Sequence, residues 1–89
     1  MARYEASSHE MVAMAAQAGM PDALYQLGLM YCSGHGVELD LVEAHKWFNL
    51  AAMRGNAEAR RYRREISAEM SRREIGDAQR RAREWKARG

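Results

Sequence analysis

Few residues of this 89-residue chain have the types and spacing that chemistry needs. Cys32 and His35 stand at the Cys-x-x-His spacing of metal ligands. A structural zinc wants four ligands. The only others to hand, His9 and His45, belong to different helices. The ligand count therefore favours a small residue near a helix end for Cys32 and a polar loop residue for His35. No nucleophile and base, no carboxylate pair and no phosphate loop stands at a meaningful spacing. Gly34-His35-Gly36 is a turn without the strand-to-helix context of a phosphate loop. The residues thus offer no catalytic group, no metal site and no cofactor site. His9 and His45 share a helical phase, and neighbouring helices would set them about 10 Å apart. Two solvated positions at helix starts is the stronger reading, ahead of a pH-sensitive patch.

Recognition is better served. Tyr25 and Leu29 stand at i, i+4, flanked by Asp22 and Gln26. Exposed, these four residues would form a small amphipathic docking strip. The plainer alternative packs Tyr25 and Leu29 on the preceding helix, and both readings stand. The other candidate surface is basic: Arg60, Arg61, Arg64, Arg72, Arg73, Arg80 and Arg81. Three roles rank in order for it. The first is the solvated faces of capping helices, with i, i+4 pairs such as Arg61–Glu65 and Arg80–Glu84. The second is a surface for an acidic protein, and the third is nucleic acid. Five acids among the eleven bases of residues 60–89 put nucleic acid last.

These residues need helices to position them. Pro21 and Asp22 suit the first turn of one helix. Ala23, Leu27, Gly28 and Tyr31 then fall on one face. Glycine inside a helix costs about 0.5–1 kcal/mol against alanine. Gly28 thus signals a second helix lying close, and Ala51 and Ala52 are the expected thin surface against it. Gly34 and Gly36 break the helix and make the turn. Asp40 and Glu43 have the spacing of a reciprocal capping box. Ala44, Trp47, Phe48 and Ala51 form the buried stripe of the second helix, which Gly55 ends.

The run Ala23-x-x-x-Leu27-Gly28-x-x-Tyr31-x-x-Gly34-x-Gly36-Val37-x-x-Asp40-x-x-x-Ala44-x-x-Trp47-x-x-x-Ala51-Ala52-x-x-Gly55-x-x-x-Ala59 closely resembles the Sel1-like repeat, a helix–turn–helix unit related to tetratricopeptide repeats. One departure is Glu43, where the family usually places a lysine. The resemblance implies an α-solenoid that binds proteins and carries no chemistry of its own. It also implies that the first hairpin helix, with Tyr25 and Leu29, lines a concave face. Secreted members of the family carry paired cysteines, so the lone Cys32 points to the cytoplasm.

Around that hairpin the chain is expected to be a single domain, 1–89. Residues 1–6 are expected to fray. Ser7 and Glu10 have capping-box spacing and open a helix over 7–19, closed by Gly19. Shifted by 36 residues, Ala15, Ala16, Gly19 and Ala23 overlay Ala51, Ala52, Gly55 and Ala59. Residues 7–19 thus read as the trailing helix of a partial repeat, and 21–55 as one full repeat. Residues 56–88 read as basic capping helices, the last carrying a seam of Ile75, Ala78, Ala82 and Trp85. That tail looks like the one following the final repeat in some bacterial Sel1-repeat proteins.

Charge divides the same way. Residues 1–59 hold three basic and seven acidic side chains, a net of −4, whereas residues 60–89 net +6. No apolar run approaches the ~18 residues a membrane span needs. The first residues lack the apolar stretch of a signal peptide. The expectation is an all-α short solenoid of four helices with a C-terminal capping hairpin, acting as a cytoplasmic, non-enzymatic protein adaptor. The runner-up is nucleic-acid or anionic-surface binding through residues 60–88. A homodimer through Met11, Val12 and Met14 at the open N-terminal end is a further expectation.

Overall fold

Alanine and glycine occupy the crossings, and this lets five helices pack around so short a chain. The computed structural model describes the backbone of residues 2–88 and the side chains of residues 10–88. The helices are α1 (Ala2–Gln17), α2 (Pro21–Ser33), α3 (Leu41–Met53), α4 (Ala57–Ser67) and α5 (Arg72–Arg88). The count is one more than the four expected. The described backbone of α1 is already helical at Ala2, so Ser7 lies inside the helix and does not cap it. The side chains of Ser7 and His9 fall outside the described residues.

The punctuation follows local rules. Pro21 opens α2, and Gly34, at φ +72°, closes it by donating its N–H to the Met30 carbonyl. Only glycine takes that left-handed conformation without a steric cost. Asp40 caps α3 by accepting from the Glu43 N–H at 3.1 Å. Asn56 caps α4 by accepting from the Ala59 N–H at 2.9 Å. Ser71 and Glu74 make a full reciprocal box at the start of α5. The expected box at α3 is only half made. The Asp40 N–H already donates to the Tyr31 carbonyl at 2.9 Å, so Glu43 has nothing to reach back to.

α3 is the central element, with α2, α4 and α5 all packed on it, and α1 lies on α2. Its expected stripe of Ala44, Trp47, Phe48 and Ala51 is buried, and so are His45 and Leu50. Three neighbours demand a wider apolar surface than one stripe supplies. Ala16, Ala23, Ala44, Ala51, Ala59, Ala78 and Ala82 distribute small buried side chains over all five helices. Close helix approach depends on such short side chains, since ridges of larger ones would hold the axes apart.

The approach at Gly28 differs from the thin alanine surface expected there. Gly28 is buried against the ring of Phe48, and a Cβ built on it would lie 2.5 Å from that ring. The missing side chain makes room for an aromatic face, not for Ala51 or Ala52. Phe48 in turn joins Tyr25 and Tyr62 in a cluster drawn from α2, α3 and α4. Its ring stacks on Tyr62 at 5.6 Å and tilts against Tyr25 at 6.0 Å.

Candidate interaction surface

The candidate strip is carried on α2, whose buried face is Ala23, Leu24, Leu27 and Gly28. That face fixes where the others point. Asp22 and Gln26 are exposed, while Tyr25 and Leu29 are half-buried beside the core. Asp22 accepts a hydrogen bond from the Asn56 amide at 3.3 Å, tying the start of α2 to the cap of α4. The Tyr25 ring sits 5.9 Å from that of Tyr62. Burial raises the Tyr25 phenol above its ordinary pKa, and the neighbouring Tyr62 hydroxyl and Glu58 carboxylate add to the shift. The strip therefore has two exposed positions and two that share their area between solvent and core.

The seven candidate arginines differ in their pairing. Arg60, Arg64, Arg72 and Arg73 are exposed and enter no ion pair among the described residues. Arg61 pairs with Glu58 at 2.8 Å, one turn back, and not with Glu65 as its spacing also allowed. Arg80 pairs with both Asp77 and Glu84. Arg81 is a clamp: it reaches across from α5 to Glu43 on α3 at 2.8 Å and holds Asp77 at 3.1 Å. Glu43 also takes Lys46 at 3.0 Å. Burial pushes the Glu43 carboxyl up, but the hydrogen bonds and charges of Lys46 and Arg81 outweigh it, and the net shift is downward.

α5 meets α3 along its expected seam. Ala78 and Ala82 are buried, Ile75 and Trp85 partly so. Trp85 stands edge-on to Trp47, with ring centres 5.9 Å apart. Lys46 lies 4.0 Å over the Trp47 ring, a cation–π contact that screens the indole's outer side.

His45 is the residue for which sequence reasoning failed most clearly. It is 3 % exposed and not a solvated position at a helix start. Its Nε2 lies 3.0 Å from the Ser67 hydroxyl. Ser67 donates to the Arg63 carbonyl at 2.8 Å, which leaves its oxygen to accept from an Nε2–H. Nδ1 is buried without a partner. Burial, helped by the Arg63 charge, lowers the His45 pKa. The available signal was the width of the apolar surface on α3: Leu41, Val42, Leu50 and Ala52 flank the stripe and mark a helix buried nearly all round.

Cys32 is half-buried, its Sγ 3.5 Å from the Leu29 carbonyl, and burial pushes its thiol pKa up. His35 is exposed in the turn after α2, away from the buried His45. Among the described residues no three His, Cys, Asp or Glu side chains are disposed to hold a metal ion. No described helix is long and apolar enough to cross a membrane.

The comparisons with known proteins agree with this geometry. The family model described as the Sel1 repeat matches residues 21–56. Neither a curated protein nor a solved structure gives a significant match to the chain. The matched segment begins at Pro21 of α2 and ends at Asn56, the cap of α4, so it spans the α2–α3 hairpin with Gly28 against Phe48 at its crossing. Among the described residues the chain is all-α, and residues 21–56, the α2–α3 hairpin, are a Sel1 repeat.

Proposed function

We propose that the protein is a non-enzymatic adaptor that binds another protein through Asp22, Tyr25, Gln26 and Leu29 on α2. Sel1 repeats are generally protein-interaction modules, and that supports the class. One observation carries the choice of surface. α2 is pinned from behind by Phe48 against Gly28, while Asp22 and Gln26 stay wet and Tyr25 and Leu29 keep partly open edges. A rigid helix loses little conformational freedom when a partner docks, so more of the contact energy appears as affinity. The same reading assigns residues 56–88 to capping, makes self-association through α1 a secondary contact, and places the adaptor in the cytoplasm because Cys32 stands alone.

The test is affinity capture with wild type beside Gln26→Arg and Leu29→Glu, each checked for an unchanged helical melt. Partners retained by wild type and lost by both variants support the strip. Identical retention by all three removes it.

A further inference from the structure

A cleft opens where the ends of α1, α3 and α5 come together. It has a volume of about 340 Å³ and is lined by Gln17, Ala18, Gly19, Arg54, Trp85 and Arg88. These residues come from the close of α1, the end of α3 and the end of α5. Arg54 crosses the α1–α2 turn and donates to the Gly19 carbonyl at 3.3 Å. Gly19, at φ +80°, is the residue that permits this. A Cβ there would collide with the Arg54 guanidinium. The guanidinium thus occupies space that a side chain at residue 19 would contest. A guanidinium carries five N–H donors, and this contact uses one. Arg88 lines the same cleft from the end of α5, and neither arginine enters an ion pair among the described residues. Trp85, half-exposed and propped edge-on by Trp47, supplies an apolar part of the lining. Met20 and Met53, chain neighbours of Gly19 and Arg54, are 55 % and 53 % exposed.

We infer that this cleft binds a short acidic peptide segment of a partner protein, with a carboxylate between Arg54 and Arg88 and an apolar side chain against Trp85. The inference rests on the protein-binding reading but uses a different face. The chemistry is specific in kind. Two guanidinium groups, one of them tethered to the Gly19 carbonyl, suit a carboxylate, which takes paired N–H donors in a plane. The exposed methionines next in the chain to Gly19 and Arg54 suit varied apolar side chains. The helix ends carry partial negative charge, which the two arginines offset first. The site therefore holds a carboxylate that reaches the guanidinium groups directly, and gives little to a diffuse anion.

The experiment is an amide and indole NMR titration of the full 89-residue chain with two synthetic peptides. One alternates Glu with Leu and Phe, and the other carries Gln in place of every Glu. The acidic peptide is expected to move the resonances of Ala18, Gly19, Arg54 and the Trp85 indole. Arg88→Gln, an exposed change at a helix end, is expected to weaken binding about tenfold, as loss of a charge-assisted hydrogen bond would. The double variant Arg60→Gln, Arg64→Gln removes as much exposed charge elsewhere and should bind as wild type does. Equal binding of the Gln peptide overturns the inference, and so does equal weakening by the Arg60 and Arg64 variant. Shifts confined to Gln26 and Leu29 overturn it too while leaving the adaptor strip on α2 standing.

Discussion

Gly28 of α2 lies flat beneath the ring of Phe48 on α3, leaving no space for even one methyl group. Alanine is the better helix former by about 0.5–1 kcal/mol. Overpacking a close contact costs about 1–3 kcal/mol, and here the obstacle is a fully buried ring held by Tyr25 and Tyr62. The steric loss wins. Gly28→Ala should lower the midpoint of thermal unfolding, followed by circular dichroism, by about 4–8 °C for each net kcal/mol lost. An unchanged or raised midpoint would show that the helices do not approach as described.

Trp47 is buried beneath Lys46 of its own helix and against Trp85 of α5. Truncating a buried Trp costs about 3–5 kcal/mol. A chain this size has roughly 4–13 kcal/mol in all. Trp47→Ala should leave the domain largely unfolded at 37 °C, seen as loss of helical ellipticity and of a cooperative melt. A melt within a few degrees of wild type would refute the packing of α5 on α3.

His45 makes stability depend on pH. Unfolded, an imidazole titrates near about 6.5. Folded, burial and Arg63 hold His45 lower. Between those values the unfolded chain carries more protons, so stability falls as pH drops below about 6.5. The urea midpoint should decrease from pH 7.5 to pH 5. Replacing His45 with Gln should flatten most of that slope, whatever it does to stability at neutral pH. A slope unaltered by His45→Gln would assign the effect to another group.

Glu43 binds α5 to α3 through Arg81 and steadies Lys46 over Trp47. Its lowered pKa means that this contribution is present at neutral pH and lost as the carboxylate protonates on acidification. Arg81 is partly exposed, so screening limits the pair to about 0.5–1 kcal/mol. A double-mutant cycle with Glu43→Gln and Arg81→Met should return a coupling of that size, shrinking in 1 M salt. Zero coupling at low salt would remove the clamp.

Met11 and Met14 are 68 % and 72 % exposed on α1, whereas Val12, expected beside them, packs toward the core. Two exposed methionines three residues apart on α1 are a candidate self-association surface. Sedimentation velocity should show a dimer forming at rising concentration, and Met14→Glu should suppress it. A wild-type monomer at hundreds of micromolar would exclude this contact.

What the sequence determined by itself is local. Asp40, Asn56 and Ser71 cap helices because each side chain needs only the backbone two or three residues on. Gly34 ends α2 because a positive φ is a property of one residue. The stripe from Ala44 to Ala51 follows from helical periodicity alone. Tertiary structure decided the rest: Phe48 over Gly28 in place of alanine, His45 sealed against Ser67, Glu43 drawn to Arg81, and Arg54 laid across Gly19. Each of these joins residues on different elements, and each depends on how two helices cross. A crossing is set by the fit of whole side-chain surfaces, and no spacing along a single chain encodes it.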